Sequence, residues 1–362
     1  MPRAPDFVRH RLRNQRLTGP GFAAPADVVA WLGAVQSQDY PGAKWSVGQR
    51  VAKGTDAMVE DAFNRGHILR THVLRPTWHF VTPADIRWML ELTAPHVRRF
   101  NAYWYRVNRV DQPLLARVRK LVEKALEGGN YHTRTEVGAL LARSGVEAAT
   151  TRLAAIMMHL ELEGLVVSGP MRNRRHTYAL LDERAPAVAP IARDEALARL
   201  AHRFFTGHGP ATVRHFAWWS NLSLRDCTAG LAAARGDLTT ATIDGIEWFG
   251  FADPPPRAVV RGALLVPEYD EALVGSRELG VEDLPHTRTR WTDTFLRPVL
   301  IDGRRAGTWR RHLGREVVIE TNLFARLDPV RRAKLGAAIR RYGRFAGLPV
   351  STHPRSPYLQ PR

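Results

Sequence analysis

Apolar residues recur along this chain at helical spacing, at strand spacing and in short runs, and each pattern predicts a different element. Val28, Val29, Leu32 and Val35 share one helical face, so a helix is expected near Ala26–Val35. A second is expected near Asp56–Arg65, followed by a strand pair around "VLRPTWHFVT". The middle of the chain is clearest. Thr133 with Glu136 three residues on reads as a capping box that opens a helix running to about Arg143. After a turn at Ser144-Gly145, Leu153, Ile156, Met157, Leu160 and Leu162 mark a second helix that stops at Gly164. Leu165–Val167 and Thr177–Leu180 then read as two short strands around the basic tip "SGPMRNRRH". Helix, turn, helix and basic hairpin predict a winged helix.

The pattern recurs, in kind and not in residue identity. From Asp194 the chain offers a helix, a Gly-Pro break, a helix from about Ala211, another ending near Arg235, and a strand pair around Asp244-Gly245. The first copy, before residue 95, is blurred. After Pro254–Pro256, the best linker candidate, strand-like runs follow with turns expected at Asp302-Gly303 and Arg304–Gly307. An amphipathic helix is expected near Asp328–Phe345. The expected fold class is therefore α+β, mostly helical, with tandem winged helices and a β-rich C-terminal portion. The expected division is 1–127, 128–190, 191–253 and 254–362.

Charge sharpens this picture. Of 362 residues, 53 are Lys or Arg and 35 are Asp or Glu, giving a net charge of +18 and a pI near 11.0. Such an excess calls for a polyanionic partner, with nucleic acid first. A membrane surface is disfavoured, because neither a basic amphipathic anchor nor an apolar span stands out. The basic N-terminus lacks the apolar core of a signal peptide, so a cytoplasmic protein is expected. The single cysteine, Cys227, excludes an internal disulfide framework and a multi-cysteine zinc site, and its helical context reads as core.

Several residue groups are candidates for chemistry, each with a plainer explanation beside it. The wing residues Arg172, Arg174, Arg175 and His176 could meet phosphates; a solvated hairpin is the alternative. Neutralising about six phosphates would give a salt slope of about −5. In "ILRTHVLRPTWHFV", Arg70, His72, Arg75, Trp78 and His79 could receive a nucleic-acid backbone and stack on a base, or strand alternation alone could explain them. His72 and His79 lack companions for a metal site. Glu268, Asp270 and Glu271 could do acid and base work, although an acidic turn is commoner. "GTWRRHLG" reads as an exposed basic hairpin, and Trp218 and Trp219 as core. Gln36 and Gln38, in "AVQSQDYPG", end a helical pattern ahead of an expected Pro41-Gly42 turn. If the chain is extended there, residues two apart face one site, where two amides could grip a water or read a base edge. A polar helix end is the alternative.

Together, "AVQSQ", "LRPTWHFV", "GHGPATVRHFAWWSNL", "LLVPEYDEALVG" and "GTWRR", in that order, resemble the winged-helix bacterial DNA glycosylases of the AlkZ and YcaQ type. The resemblance spans nearly the whole chain. It implies a C-shaped arrangement of winged helices around double-stranded DNA containing alkylated purines, and hydrolysis of the N-glycosidic bond of cationic N-alkylpurines. For some members it extends to interstrand crosslinks made by bulky alkylating natural products. It implies no cofactor or metal, and a monomer working in the bacterial nucleoid is expected. The family's catalytic motif, glutamine, a middle residue, then glutamine or aspartate, maps onto Gln36 and Gln38. Ser37 stands where the family more often has an apolar residue. The "LRPTWHF" hairpin, with Arg75, Trp78 and His79, is expected to approach the minor groove or the lesion strand. The alternative from another class is a non-enzymatic winged-helix regulator.

Overall fold

The computed structural model describes residues 7–148, 150–253, 262–275 and 297–354. The first amphipathic pattern forms the helix Pro25–Leu32, shorter than expected because Gly33, at φ 79°, turns the chain out of it. Val35–Gln36 (β1) is already strand. β1 pairs with Trp78–Val81 (β3), which pairs with Leu69–His72 (β2), all antiparallel and in the order β1-β3-β2. Pro41 and Gly42 do not make a turn: they lie in the first turn of the helix Tyr40–Gly48, where proline's missing N–H breaks no helical hydrogen bond. The helix Asp56–Asn64 follows.

This strand order occurs twice more. His132–Thr133 (β4), Val166–Ser168 (β5) and Thr177–Leu180 (β6) form a sheet ordered β4-β6-β5, with the helices Arg134–Arg143 and Thr150–Leu162 between β4 and β5. The capping box is present: Thr133 Oγ1 accepts from the Glu136 N–H, and Glu136 Oε2 accepts from the Thr133 N–H. Farther on, the helices Val213–Ser220 and Leu224–Ala234 precede the hairpin Thr240–Ile243 (β7) and Ile246–Phe249 (β8). Asp244 and Gly245, both at positive φ, turn that hairpin. Ala211 bridges Phe249, so one residue takes the place of a first strand.

The C-terminal sheet runs β13-β12-β11-β10-β9, from Ala263–Leu265 (β9), Pro298–Ile301 (β10), Arg304–Leu313 (β11), Val317–Leu323 (β12) and Val350–Pro354 (β13). Asp302 and Gly303 turn β10 into β11, as expected. The expected turn at Arg304–Gly307 is instead strand, and "GTWRRHLG" is one arm of the β11–β12 hairpin, exposed at Arg310 and at residues 312–314 but flanked by β10 at its base. Alternation buries Trp309, whose indole N–H donates to the Val266 carbonyl at 2.8 Å, while Arg310 remains exposed. The basic helix Pro329–Ala346 covers this sheet. The Pro254–Pro256 linker lies outside the described residues.

Two cores enclose the β1-β3-β2 sheet. Val35 and Phe80 join Leu32, Phe63, Val299, Trp309 and Phe345 on one side. Ala34, Leu69 and Val81 join Leu200, Phe204, Phe216 and Trp219 on the other, with Cys227 buried beside them. A third core holds Val118, Val122 and Leu126 of the helix Gln112–Leu126 against Val137, Leu141 and Ile156. The cut at 127 falls at the end of that helix. Trp218 is half-buried. Among the described residues no helix is long and apolar enough to cross a membrane.

Candidate functional site

Gln36 ends β1, and there the two cores meet. It stands opposite His79, which stands opposite Thr71, so the three side chains share one face of the sheet. Gln36 is only 8% exposed and is held at two points. Its backbone N–H donates to Glu271 Oε1 at 2.8 Å, and its side-chain Nε2 donates to Thr77 Oγ1 at 3.3 Å. The second bond tethers the end of the side chain to the Thr77 hydroxyl. Gln36 Oε1 is left buried and, among the described residues, without a hydrogen-bond partner. Gln38, past the end of the strand, lies in a bend and is exposed.

Behind Gln36 stand buried groups bonded to one another inside the protein. His79 is fully buried; its Nδ1–H donates to the Thr77 carbonyl at 2.8 Å, which leaves Nε2 to accept from Arg75 Nη2 at 3.1 Å. Burial, and then the Arg75 charge, hold His79 well below the usual histidine range, so the ring is neutral. Burial also lowers the Arg75 pKa, against the pull of Glu271, and Arg75 Nη1 donates to the Trp219 carbonyl at 2.8 Å. Glu271 is fully buried: its Oε2 accepts from the Trp219 indole at 2.8 Å and meets His208 Nε2 at 3.3 Å.

Asp270 anchors this carboxylate. Its Oδ1 caps the short helix Glu271–Val274 through the Ala272 N–H and pairs with Arg50 Nη2 at 2.7 Å. Its Oδ2 accepts from Ser46 Oγ at 2.7 Å and Arg50 Nη1 at 2.9 Å. Burial pushes the Asp270 pKa up, but Arg50 and these hydrogen bonds outweigh it and hold it below the usual carboxylate range. The sequence shows an acidic cluster here; it does not show that one acid supports Gln36 and the next supports that acid.

The opposite face of the sheet carries the other hairpin candidates. The Arg70 guanidinium donates to the Ser37 carbonyl, at 3.0 Å from Nη2, and lies 4.3 Å from the centre of the Trp78 ring. Burial lowers its pKa to about 10, although Glu161 opposes the shift. His72 Nδ1 meets Glu161 Oε2, and Trp78 Nε1 donates to Glu161 Oε1 at 3.4 Å. Arg70, His72 and His79 are thus buried with partners inside the protein, while Trp78 is half-exposed. Arg75 lies in the loop between β2 and β3. Glu161 and Thr77 were not legible as site residues; a glutamate inside an otherwise apolar helix pattern was the one signal.

In the loop between β5 and β6, Arg172, Arg174 and Arg175 are exposed. Arg172 is engaged with Glu136 Oε2 and the Tyr131 carbonyl, and Arg172 and Arg175 bridge across the tip. His176 turns inward, edge-on to Tyr40 at 4.6 Å, and burial lowers its pKa to about 4. Among the described residues, no three His, Cys, Asp or Glu side chains come together to hold a metal.

With this geometry in hand, comparison with known proteins is informative. The model of the DNA glycosylase AlkZ-like family matches residues 29–345, which include Gln36, Gln38 and Glu271. The interstrand DNA cross-link repair glycosylase of Streptomyces sahachiroi is 24% identical, across 94% of this chain and 96% of its own. The solved structure of Streptomyces sahachiroi DNA glycosylase AlkZ matches with a TM-score of 0.76 at 22% identity, over 96% of this chain and 98% of that one. The match to the solved structure shows a shared fold. The family match, covering most of the sequence, shows that this chain belongs to the AlkZ-like DNA glycosylases, enzymes that hydrolyse the N-glycosyl bond between base and sugar.

Proposed function

We propose that the substrates are cationic N-alkylpurines in double-stranded DNA, N7-alkylguanine above all and N3-alkyladenine as well, including bulky adducts and interstrand crosslinks. Gln36 and Gln38 orient the attacking water. The observation that carries this reading is the buried Gln36 amide, tethered at one end to the Thr77 hydroxyl and left at Oε1 without a partner among the described residues. A water donating one O–H to it is oriented at little further entropic cost. Alkylation at N7 or N3 makes the base cationic and a good leaving group, so the site needs no strong acid. A neutral, internally bonded His79 accords with that.

Exposed Gln38 supplies the second amide from the DNA side. Half-exposed Trp78 and the wing residues Arg172, Arg174 and Arg175 meet the DNA, and Arg70, His72, Arg75 and His79 act from beneath as supports. The three units with a common strand order are winged helices set in an open C, which would let a bulky lesion be reached without extrusion from the duplex. The enzyme works as a monomer in the bacterial cytoplasm, without cofactor.

The test is base release from duplexes bearing N7-methylguanine or a bulky N7-guanine adduct, corrected for spontaneous depurination. Wild type should release both, with a rate that stays flat across the histidine titration range, because neither amide titrates and His79 stays neutral. Gln36→Ala and Gln38→Ala should each lose about a hundredfold in rate while still binding DNA. Wild-type rates at background, or full activity in both variants, would discard the assignment.

A further inference from the structure

At the far end of the helix Tyr40–Gly48, about 13 Å along the axis from the Gln36 strand, lies a second site of a different character. A cavity of about 700 Å³ opens between the loops around residues 16–21 and 51–55 and the C-terminal helix Pro329–Ala346. This volume falls in the range of small-molecule sites. Arg16, Lys53, Arg341 and Arg344 line it, no Asp or Glu does, and among the described residues none of the four cations is ion-paired.

Two of these cations are held in place. The Arg16 guanidinium lies 4.8 Å from the centre of the Trp31 ring and 5.5 Å from that of Phe22, and its buried Nε has no acceptor among the described residues. Arg341 donates to the Gln49 carbonyl and lies 5.9 Å from the centre of the Trp45 ring. Burial, then Arg13, lowers the Arg16 pKa; burial, then Arg344 and Arg50, lowers that of Arg341. In both, repulsion between neighbouring cations adds to the effect of burial. Gln49 lines the cavity too, and is 3% exposed. Its Nε2 donates to Asp270 at 3.2 Å, while its buried Oε1 has no donor among the described residues.

Unopposed cations call for an anion, and a lone amide oxygen calls for a hydroxyl or N–H. We propose that this cavity binds a phosphomonoester carrying such a donor, with Arg16, Lys53, Arg341 and Arg344 around the phosphate and Gln49 Oε1 accepting from the organic part. Two sources share that chemistry: a free nucleotide-like metabolite and the phosphorylated 5′ end of a DNA strand.

Calorimetric titration of the full chain with adenosine 5′-monophosphate tests it, with adenosine as the uncharged control and Lys53→Glu/Arg344→Glu as the variant. Both substituted side chains are exposed, and neither belongs to the Gln36 site, so the variant should keep its fold and its base release. Expected are binding of the monophosphate, none of adenosine, and an affinity at least about tenfold weaker in the variant. Displacement by a 5′-phosphorylated duplex but not by its 5′-hydroxyl counterpart would identify a strand end; displacement by neither would identify a free metabolite. No binding, equal affinity in the variant, or displacement by the 5′-hydroxyl duplex would overturn the proposal.

Discussion

Gln36 is held by its backbone as much as by its side chain, and the group that holds it lies 235 residues away in sequence. That support has a support of its own. Asp270 fixes the start of the helix carrying Glu271 and faces Arg50, and both ionic side chains of that pair are fully buried. Removing one charge of such a pair leaves the other uncompensated, at a cost of about 3 to 5 kcal/mol. Asp270→Asn should therefore lower the thermal unfolding midpoint markedly. Base release measured well below that midpoint should also fall, through Gln36. An unchanged midpoint would mean that Arg50 reaches solvent and that the pair is not the anchor assigned here. Nothing near Gln36 in sequence announces this chain of contacts, because partners that far apart leave no mark in spacing. The extended run beyond the helix was legible as far as Gln36; whether Gln38 shares its face was not, since the strand stops between them.

At the scale of elements, legibility followed the range of the interaction. The Thr133 capping box, the Asp244-Gly245 turn and the apolar stripe of Thr150–Leu162 depend on residues within a turn or two, and all three formed where the pattern placed them. Pro41-Gly42 was misread, because proline breaks a helix in its interior and starts one in its first turn. Only the packing that follows decides between the two. That packing is tight: Gly48, at the end of the same helix, lies against Phe345, and a Cβ there would run into the ring. Gly48→Ala gains helix propensity of at most about 1 kcal/mol, less at a helix end. Overpacking against a ring that is itself buried costs about 1 to 3 kcal/mol, so the clash should win. The variant should melt below wild type; a variant that melts above it would show that Phe345 moves aside freely.

For the whole molecule, the net charge of +18 pointed to a polyanion from the outset, but charge alone does not say which cations meet DNA. The fold divides them. Arg50, Arg70 and Arg75 are consumed inside, pairing with Asp270 or donating to the carbonyls of Ser37 and Trp219. Arg311 pairs with Asp39, and Arg172 with Glu136. Arg174 and Arg175, in the loop between β5 and β6, stay exposed, so phosphate contact should fall more heavily on them than a count of basic residues implies. Each phosphate neutralised contributes about 0.9 to the slope of log K against log salt. Replacing both with alanine should therefore flatten that slope by up to about 2, uniformly across DNA sequences, while Arg70→Ala should act mainly through stability because its guanidinium props Ser37 from within. Binding of undamaged duplex at several salt concentrations separates the two classes of arginine. If the double variant keeps the wild-type slope, the β5–β6 hairpin stands clear of the DNA, and the electrostatic footprint must be drawn elsewhere on the surface.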